Sequence, residues 1–218
     1  MEKADIKLLT NELKQIKDLK IEIVDIDKQL FDNQIPKGSK AYNLKCSVLF
    51  VDIRNSTDMT KINGRKNMVK IYKMFAKLVI KAVEANGGRV DQIMGDGMTS
   101  GMQAINAAMD INTYLNEVYN PIVEKSWTIS CGIGIRTGHV YITRIGTRGE
   151  NRTSKVAYPS SITNYACKLC GVAEGGEILF DEITYSQIKN NDLKKKAKTV
   201  NTEKLGKCKS IKGQIWRI

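Results

Sequence analysis

The feature that most constrains this chain is a short apolar run that ends in a single carboxylate. Residues 46–51 read CSVLFV, and Asp52 follows directly before the polar turn RNST. A wholly apolar segment of this length, bounded by turn residues, is typical of a buried β-strand. The chain therefore has to bury this strand in its core, and Asp52 marks the point where the burial stops.

The rest of the chain alternates between helical and strand periodicity. Residues 3–31 carry apolar side chains at helical spacing and predict one amphipathic helix. A long helix is predicted after the RNST turn, and Asn86-Gly87-Gly88 ends it. Residues 89–102 predict a hairpin with Asp96 at the tip of its G-D-G turn. The other predicted elements are a helix over 103–119, two strands within 127–145 that turn near Thr137 and Gly138, a helix over 160–170, a strand over 175–180 and a closing strand over 214–218.

This order of elements predicts an α+β sandwich, in which one mostly antiparallel sheet carries helices on one face. Residues 1–40 predict an N-terminal amphipathic helical arm and linker, and residues 41–218 predict one further domain. No apolar run reaches the roughly 20 residues that span a bilayer, and the first residues are charged throughout. We therefore expect a protein of the cytoplasm without a membrane partner.

The formal net charge of +12 is concentrated towards the C-terminal end. Residues 189–217 are rich in lysine, and Trp216 is their only aromatic residue. Binding of single-stranded nucleic acid relies on several aromatic stacking partners, so we expect no nucleic-acid partner. A solvated lysine face is the favoured interpretation of this segment. The alternative is a positive field that draws in polyphosphate anions.

Asp52 and Asp96 form a candidate metal site, because the hairpin that carries Asp96 can lie beside the apolar strand that Asp52 ends. Two carboxylates at the same end of adjacent strands repel each other unless a cation lies between them. Mg²⁺ and Mn²⁺ prefer such carboxylates together with water and phosphate oxygens. Gly95 and Gly97 would let the main chain approach a bulky phosphate closely. The alternative is that Asp52 caps the following helix and Asp96 serves only a turn.

Four segments together resemble the catalytic domain of the class III nucleotidyl cyclases. They are FVDIRNST, the G-D-G hairpin after a long helix, GIGIRTGHVYITRIG, and a short helix that contains Asn164 and Lys168. The resemblance covers residues 45–218 and implies a ferredoxin-type sandwich. It also implies that Asp52, Asp96 and the main-chain carbonyl of Ile53 bind two divalent ions, Mn²⁺ or Mg²⁺. In this family the ribose 3′-hydroxyl then attacks the α-phosphorus and pyrophosphate leaves.

The same resemblance implies the residues that contact the nucleotide. Asn164 matches the asparagine that orients the ribose. Lys168 stands where the family has an arginine, and it can neutralise the α-phosphate without the two-pronged contact that arginine makes. Lys212 falls near the lysine that binds the terminal phosphates, with Lys209 as the alternative. The implied nucleotide-binding residues are Phe50, Arg54, Asn55, Ser56, Thr57, Gln92, Ala157, Tyr158 and Lys212.

The base-reading positions match neither purine pattern of the family. Adenylate cyclases have Lys and Asp at these positions and guanylate cyclases tend to have Glu and Cys, whereas this chain has Gln92 and Ala157. A glutamine offers both a donor and an acceptor to a uracil or cytosine edge, and Tyr158 could fill the space that a purine needs. This combination is similar to the pyrimidine cyclases of the bacterial Pycsar anti-phage systems. Their products, cUMP or cCMP, activate a separate effector.

The resemblance also implies a head-to-tail homodimer, because the family builds each active site from two subunits. The N-terminal arm would then brace the dimer or pack on its own domain. We predict a nucleotidyl cyclase, a phosphorus-oxygen lyase that converts UTP to 3′,5′-cyclic UMP and pyrophosphate. The alternatives are a cytidylate cyclase that makes cCMP, an adenylate cyclase, and a cyclase-like module that binds nucleotide without turnover.

Overall fold

The computed structural model describes residues 3–28, 30, 32–35, 38–92, 96–99, 101–146, 154–201 and 214–218. The chain divides into two compact units. The first comprises residues 1–44 and 140–159, and the second comprises residues 45–139 and 160–218. None of the helices formed by the described residues is long and apolar enough to cross a membrane.

The described residues form nine strands and seven α-helices. The strands are β1 (Glu22–Ile26), β2 (Lys40–Ile53), β3 (Arg89–Gln92), β4 (Asp96–Thr99), β5 (Cys131–Gly146), β6 (Ser154–Ala157), β7 (Ile178–Asp181), β8 (Lys198–Val200) and β9 (Ile215–Arg217). The helices are α1 (Lys3–Lys17), α2 (Ser56–Ala85), α3 (Gly101–Tyr114), α4 (Asn120–Ile122), α5 (Ser161–Val172), α6 (Glu182–Ser186) and α7 (Asn191–Lys196). Short 3₁₀ turns cover Asp32–Gln34 and Lys125–Trp127, and a π-helical turn covers Leu115–Tyr119.

The central sheet has the strand order β3-β4-β2-β5-β7-β9-β8. Strand β4 pairs antiparallel with both β2 and β3, and β9 pairs antiparallel with β7 and β8. Strands β5 and β7 are parallel neighbours. The sheet is therefore mixed, and the prediction of a mostly antiparallel sheet is corrected. A parallel pair needs a long crossover connection, and the segment between these two strands contains α5.

Helices of the second unit pack on both faces of its sheet, so the prediction of helices on one face is wrong. Ile178 and Phe180 of β7 join the core that α2 and α3 cover. Leu179, between them, packs with Leu169 of α5 in a separate cluster. Successive residues of a strand point to opposite faces, and a strand buried along its whole length needs cover on each.

The first unit corrects the predicted helix over 3–31. Helix α1 ends at Lys17, and residues 22–26 form β1, which pairs in parallel with residues 40–44 of β2. This segment reads EIVDI, and its β-branched residues favour a strand over a helix. The predicted boundary between an arm of residues 1–40 and a domain of residues 41–218 stays a prediction.

The prediction of two strands within 127–145 is also wrong, because β5 runs without a turn from Cys131 to Gly146. Gly138 serves close packing instead. A Cβ at this position would lie 2.5 Å from Cδ1 of Ile162 on α5. The glycine therefore leaves room for the helix, and Thr137 beside it is buried in the sheet.

Candidate active site

Asp52 emerges from the core one residue before the end of β2. Val51 and Ile53 are buried, whereas the side chain of Asp52 is 65% exposed. Alternation along the strand therefore places this carboxylate at the surface, between two core residues. The residue that caps α2 is Asn55, not Asp52. The structure gives no support to the alternative in which Asp52 serves as a helix cap.

The side chain of Arg54 lies against Asp52. Its Nη2 is 3.3 Å from Oδ2 of Asp52, and its Nε donates to the main-chain oxygen of the same residue at 3.3 Å. Nη2 also donates to the main-chain oxygen of Cys170 at 3.0 Å. The guanidinium group is thus engaged inside the fold, and the predicted nucleotide contact of Arg54 stays a prediction.

The turn after Asp52 sets the start of α2. Asn55 adopts a left-handed backbone conformation with φ 56°, and its main-chain oxygen accepts hydrogen bonds from the amides of Asp58 and Met59. Ser56 and Thr57 are the first residues of the helix. The amides of a first helical turn have no partner within the helix and favour anions. The helical backbone is broken at Gly64, where φ is 71°.

Asp96 is the first residue of β4, so the prediction that it lies at the tip of the hairpin is corrected. Residues 93–95 lie outside the described residues. Leu49 of β2 pairs with Gly97, and continuing this register by one position brings the main chain of Asp96 beside Phe50. On its other side, Asp96 pairs with Gln92 of β3. The main chain of Asp96 therefore lies between Phe50 on β2 and Gln92 on β3. Phe50 precedes Asp52 by two residues on the same strand.

Helix α5 carries the residues that were predicted to act on the ribose and the α-phosphate. Asn164 is exposed, and Lys168 lies four residues later and therefore on the same side of the helix. The ammonium group of Lys168 is 5.1 Å from the centre of the Tyr165 ring. The guanidinium carbon of Arg136 on β5 is 4.4 Å from the same ring. The Tyr165 ring therefore contacts two cations, one from its own helix and one from β5.

The remaining predicted residues belong elsewhere in the chain. Ala157 ends β6 in the first unit, where it pairs with Thr143, and Tyr158 follows it. Lys212 and its alternative, Lys209, fall outside the described residues.

The donors at the end of β2 fit divalent cations. Carboxylates and a main-chain carbonyl are hard oxygen ligands, the type that Mg²⁺ and Mn²⁺ prefer. Across the part of the chain that the structure describes, no three or more His, Cys, Asp or Glu residues cluster as a metal site. Water and phosphate oxygens would complete a ligand set of Asp52, Asp96 and the carbonyl of Ile53, as is usual for Mg²⁺.

Two buried thiols below Asp52 were not part of the predicted site. Burial raises the pKa of Cys131 to about 12. Burial also raises the pKa of Cys170 to about 12, against the opposing effect of the Arg54 guanidinium. No local sequence pattern connects Cys170 with Arg54, which lies 116 residues away.

A buried polar cluster around Asp181 was missed as well. Asp181 ends β7 and caps α6, where its Oδ1 accepts hydrogen bonds from the amide of Thr184 at 3.0 Å and from its hydroxyl at 2.6 Å. The amide of Thr137 donates to the same oxygen at 3.4 Å. Oδ2 pairs with Nε of Arg136 at 3.7 Å. The hydroxyl of Thr137 bonds those of Thr184 and Ser47, so the cluster joins β2, β5, β7 and α6.

No family model matches this chain. It is similar to a uridylate cyclase from Burkholderia cepacia, with 29% identity over 148 residues that cover 62% of this chain and 63% of the relative. It is also similar to a uridylate cyclase from Gulbenkiania mobilis, with 27% identity over 171 residues that cover 70% of this chain and 63% of the relative.

Solved structures share its fold. The guanylate cyclase domain of RhGC from Catenaria anguillulae in complex with GTP superimposes with a TM-score of 0.64 and 19% identity, covering 82% of this chain and 96% of that one. This likeness shows the fold alone. The chain spans less than two thirds of the length of the uridylate cyclases that it matches. The predicted resemblance to the class III nucleotidyl cyclases, close to their uridylate members, is confirmed.

Proposed function

We propose that this chain, a class III cyclase domain related to the uridylate cyclases, converts UTP to 3′,5′-cyclic UMP and pyrophosphate. One observation carries the proposal. The carboxylate of Asp52 is exposed, and Asp52 follows Phe50, the residue beside the main chain of Asp96, by two positions. The cap of α2 is Asn55, so helix capping does not explain the presence of Asp52. The positions of Asp52 and Asp96 carry the metal ligands in the family that the chain resembles.

The residues around the end of β2 would hold the triphosphate and the divalent ions. Asp52, Asp96 and the carbonyl of Ile53 would bind two ions, Mn²⁺ or Mg²⁺, which when bound lower the pKa of the ribose 3′-hydroxyl and neutralise phosphate charge. The main-chain amides of Ser56 and Thr57, at the N-terminus of α2, would contribute partial positive charge near the phosphates.

The residues of α5 would act on the reacting centre. Asn164 is exposed and can orient the ribose by hydrogen bonding through its amide. Lys168 would stabilise the charge on the α-phosphate as a single point charge, because it lacks the fork of an arginine. Gln92, Ala157 and Tyr158 would read the pyrimidine. Lys212 would bind the terminal phosphates.

Two such chains would form a head-to-tail homodimer in the cytoplasm, with Asp52 and α5 of one protomer serving different active sites. The cyclic product would act as a second messenger in anti-phage defence, by switching on a separate effector. The substrate class rests on Gln92 and on the similarity to uridylate cyclases. Since a glutamine amide can flip to suit either pyrimidine, CTP is the second candidate substrate.

The direct test is turnover of purified protein with Mn²⁺ and each of ATP, GTP, CTP and UTP, with products identified by mass spectrometry. We expect cyclic UMP from UTP, and no product from Asp52→Ala. Asp192→Ala, a surface carboxylate on α7, is the matched control and should keep wild-type activity. Cyclic AMP as the main product would contradict the role of Gln92. No product from any nucleotide would favour a nucleotide-binding module, to which Lys168 in place of arginine already points.

The proposed dimer can be tested by complementation. Asp52→Ala and Asn164→Ala should each be inactive alone. After mixing and subunit exchange, a mixed dimer contains one active site with neither substitution, so about a quarter of wild-type activity should return. If each active site were built within one protomer, mixing would restore nothing.

A further inference from the structure

Arg54 connects the carboxylate of Asp52 to the far end of helix α5. One nitrogen of its guanidinium group, Nη2, is 3.3 Å from Oδ2 of Asp52 and donates to the main-chain oxygen of Cys170 at 3.0 Å. Cys170 lies in the last turn of α5, where the unpaired carbonyls and the helix dipole favour a cation. The side chain is only 19% exposed.

Glycine at position 132 makes the space in which Arg54 lies. A Cβ on Gly132 would be 2.9 Å from both Cζ and Nε of Arg54 and 2.7 Å from the main-chain oxygen of Ala173. Such distances are shorter than carbon contacts allow, so any side chain here would displace Arg54 or the segment after α5. The main-chain amide of Arg54 is held as well, because it donates to the oxygen of Ser130 at 2.9 Å.

These contacts restrict Asp52 more than a surface ion pair would. A guanidinium group is planar, and its N–H bonds point in fixed directions. Because Cys170 and the Gly132 main chain fix the position of the plane, its contacts with the carboxylate and the main-chain oxygen of Asp52 restrict the orientation of that residue. Asp52 nevertheless stays 65% exposed, so it is held while still accessible to a ligand.

We propose that Arg54 is a positioning residue that orients Asp52 for metal binding and links it mechanically to α5. This inference rests on the proposed function, and it differs from the nucleotide contact that the sequence predicts for Arg54. In a head-to-tail dimer, Asp52 and the α5 residues Asn164 and Lys168 of one protomer serve different active sites. Arg54 would then couple any movement of Asp52, in one active site, to movement of α5, in the other.

The first experiment measures Mn²⁺ binding without nucleotide, from the electron paramagnetic resonance signal of free Mn²⁺. Arg54→Met keeps the length of the side chain but removes the charge and the N–H groups. We expect it to weaken the Asp52-dependent binding about tenfold, a loss usual for groups that orient metal ligands. Arg54→Lys keeps the charge without the fork and should be intermediate. Arg65→Met, at an exposed position of α2, should bind Mn²⁺ as the wild type does.

The direction of the change separates two roles of Arg54. If it were only a counter-ion that competes with the metal, Arg54→Met would bind Mn²⁺ more tightly than the wild type, and the proposal would be overturned. Unchanged binding would overturn it too. Gly132→Ala puts a methyl group against the guanidinium group of Arg54 while the charge stays, and should weaken Mn²⁺ binding as Arg54→Met does. Should Arg54→Met fail to fold, Arg54→Lys and Gly132→Ala still decide the question.

The part of this link that runs from Arg54 to α5 is tested in the mixed dimer of Asp52→Ala and Asn164→Ala protomers. Its intact site takes Asp52 from the Asn164→Ala protomer and α5 from the other. Arg54→Met in the Asp52→Ala protomer can reach this site only through α5, and we expect kcat to fall about threefold. The same change in the Asn164→Ala protomer acts on Asp52 directly and should lower kcat about tenfold. If Arg54→Met in the Asp52→Ala protomer left kcat unchanged, the proposed link between Arg54 and α5 would be overturned.

The proposed function and this inference fail in different ways. Wild-type protein that binds Mn²⁺ through Asp52 but makes no cyclic nucleotide would contradict the proposed function, while the binding data still decide the role of Arg54. Wild-type protein without Asp52-dependent Mn²⁺ binding would overturn the positioning role itself.

Discussion

Asp52 and Asp181 lie at the ends of neighbouring parts of one sheet, yet their surroundings are opposite. Asp181 is buried, caps a helix and receives two hydrogen bonds from Thr184 and one from Thr137, with Arg136 beside its other oxygen. Asp52 is 65% exposed, and among the residues that the structure describes its cationic neighbour is Arg54, at 3.3 Å. The oxygens of Asp181 are occupied by the fold, whereas those of Asp52 are accessible to a ligand.

The difference separates an aspartate that stabilises the fold from one that can bind a ligand. A carboxylate that is saturated by internal donors lowers the free energy of the folded state, and removing it leaves those donors unpaired. A carboxylate held at the surface by one arginine contributes little to stability. Each aspartate should therefore respond to substitution in a different assay.

The largest expected effect is the loss of activity in Asp52→Asn. We expect turnover to fall about a thousandfold or more, the scale of losing a group that stabilises charge in the transition state. The free energy of unfolding should change by no more than about 0.5 kcal/mol, as at other surface sites. Product formation and urea denaturation of the same preparation test both statements. A large fall in the free energy of unfolding of Asp52→Asn would show that Asp52 stabilises the fold as Asp181 does, and would contradict the distinction between the two aspartates.

The next effect is the destabilisation expected of Asp181→Ala. The change leaves Arg136 buried without its carboxylate and removes the acceptor of the Thr184 amide. We expect a loss of about 3–5 kcal/mol in the free energy of unfolding, typical of breaking a buried ion pair. Asp192→Ala, which breaks an exposed pair with Lys195, should cost less than about 1 kcal/mol. Equal losses in the two variants, measured by urea denaturation, would contradict the structural role of Asp181.

A smaller effect is expected where α5 touches β5. A Cβ on Gly134 would overlap the main-chain nitrogen of Cys170 and the main-chain oxygen of Ala166. Gly134→Ala should therefore shift α5 and lower the free energy of unfolding by about 1–3 kcal/mol. Gly171→Ala, in helix α5, meets no atom of the described residues within 4 Å and should stabilise by about 0.5–1 kcal/mol. Thermal unfolding of Gly134→Ala and Gly171→Ala measures the difference in stability. If both variants were destabilised, the close contact of Gly134 with α5 would not be the cause.

The smallest effect concerns the two thiols below Asp52. Burial raises the pKa of Cys131 and Cys170 to about 12 in the folded state. Between their ordinary pKa of about 9 and this value, the folded state binds more protons than the unfolded state, so stability falls as pH rises. We expect each thiol to contribute a loss of up to about 1.4 kcal/mol per pH unit above pH 9. Urea denaturation at pH 8, 9 and 10 should show a shallower decline in Cys170→Ala, and identical slopes would contradict the assignment.

Elements with a strong local signal could be predicted from the sequence. The apolar strand before Asp52 lies within β2, the long helix ends before Asn86-Gly87-Gly88 as α2 does, and the predicted helix over 160–170 is α5. Periodicity and turn residues decide such elements without reference to the rest of the chain. The position of Asp52 where burial stops follows from the same local pattern.

Features that depend on tertiary contacts could not be predicted. Thr137-Gly138 looks like a turn in the sequence, but the glycine only makes room for Ile162, which lies far along the chain. Helix α5 covers a second face of the sheet because β7 is buried on both sides, and short buried runs do not reveal how many faces are covered. The contact of Arg54 with Cys170 appears only in three dimensions, because 116 positions of sequence separate the two residues.

The break at Gly64 divides α2 into two stretches that need not open together. Residues 65–85 bury six side chains, among them Met68, Ile71 and Phe75. The eight residues before Gly64 bury only Met59, and Asn63 donates to the main-chain oxygen of Ser126 at 2.7 Å. Amide hydrogens of the short stretch should therefore exchange with solvent through local opening, while those of the long stretch exchange only when the whole unit unfolds. Ordering Ser56 and Thr57 around a bound anion would then cost conformational entropy, so the stiffness of this one helical segment would help to set how tightly the anion is held.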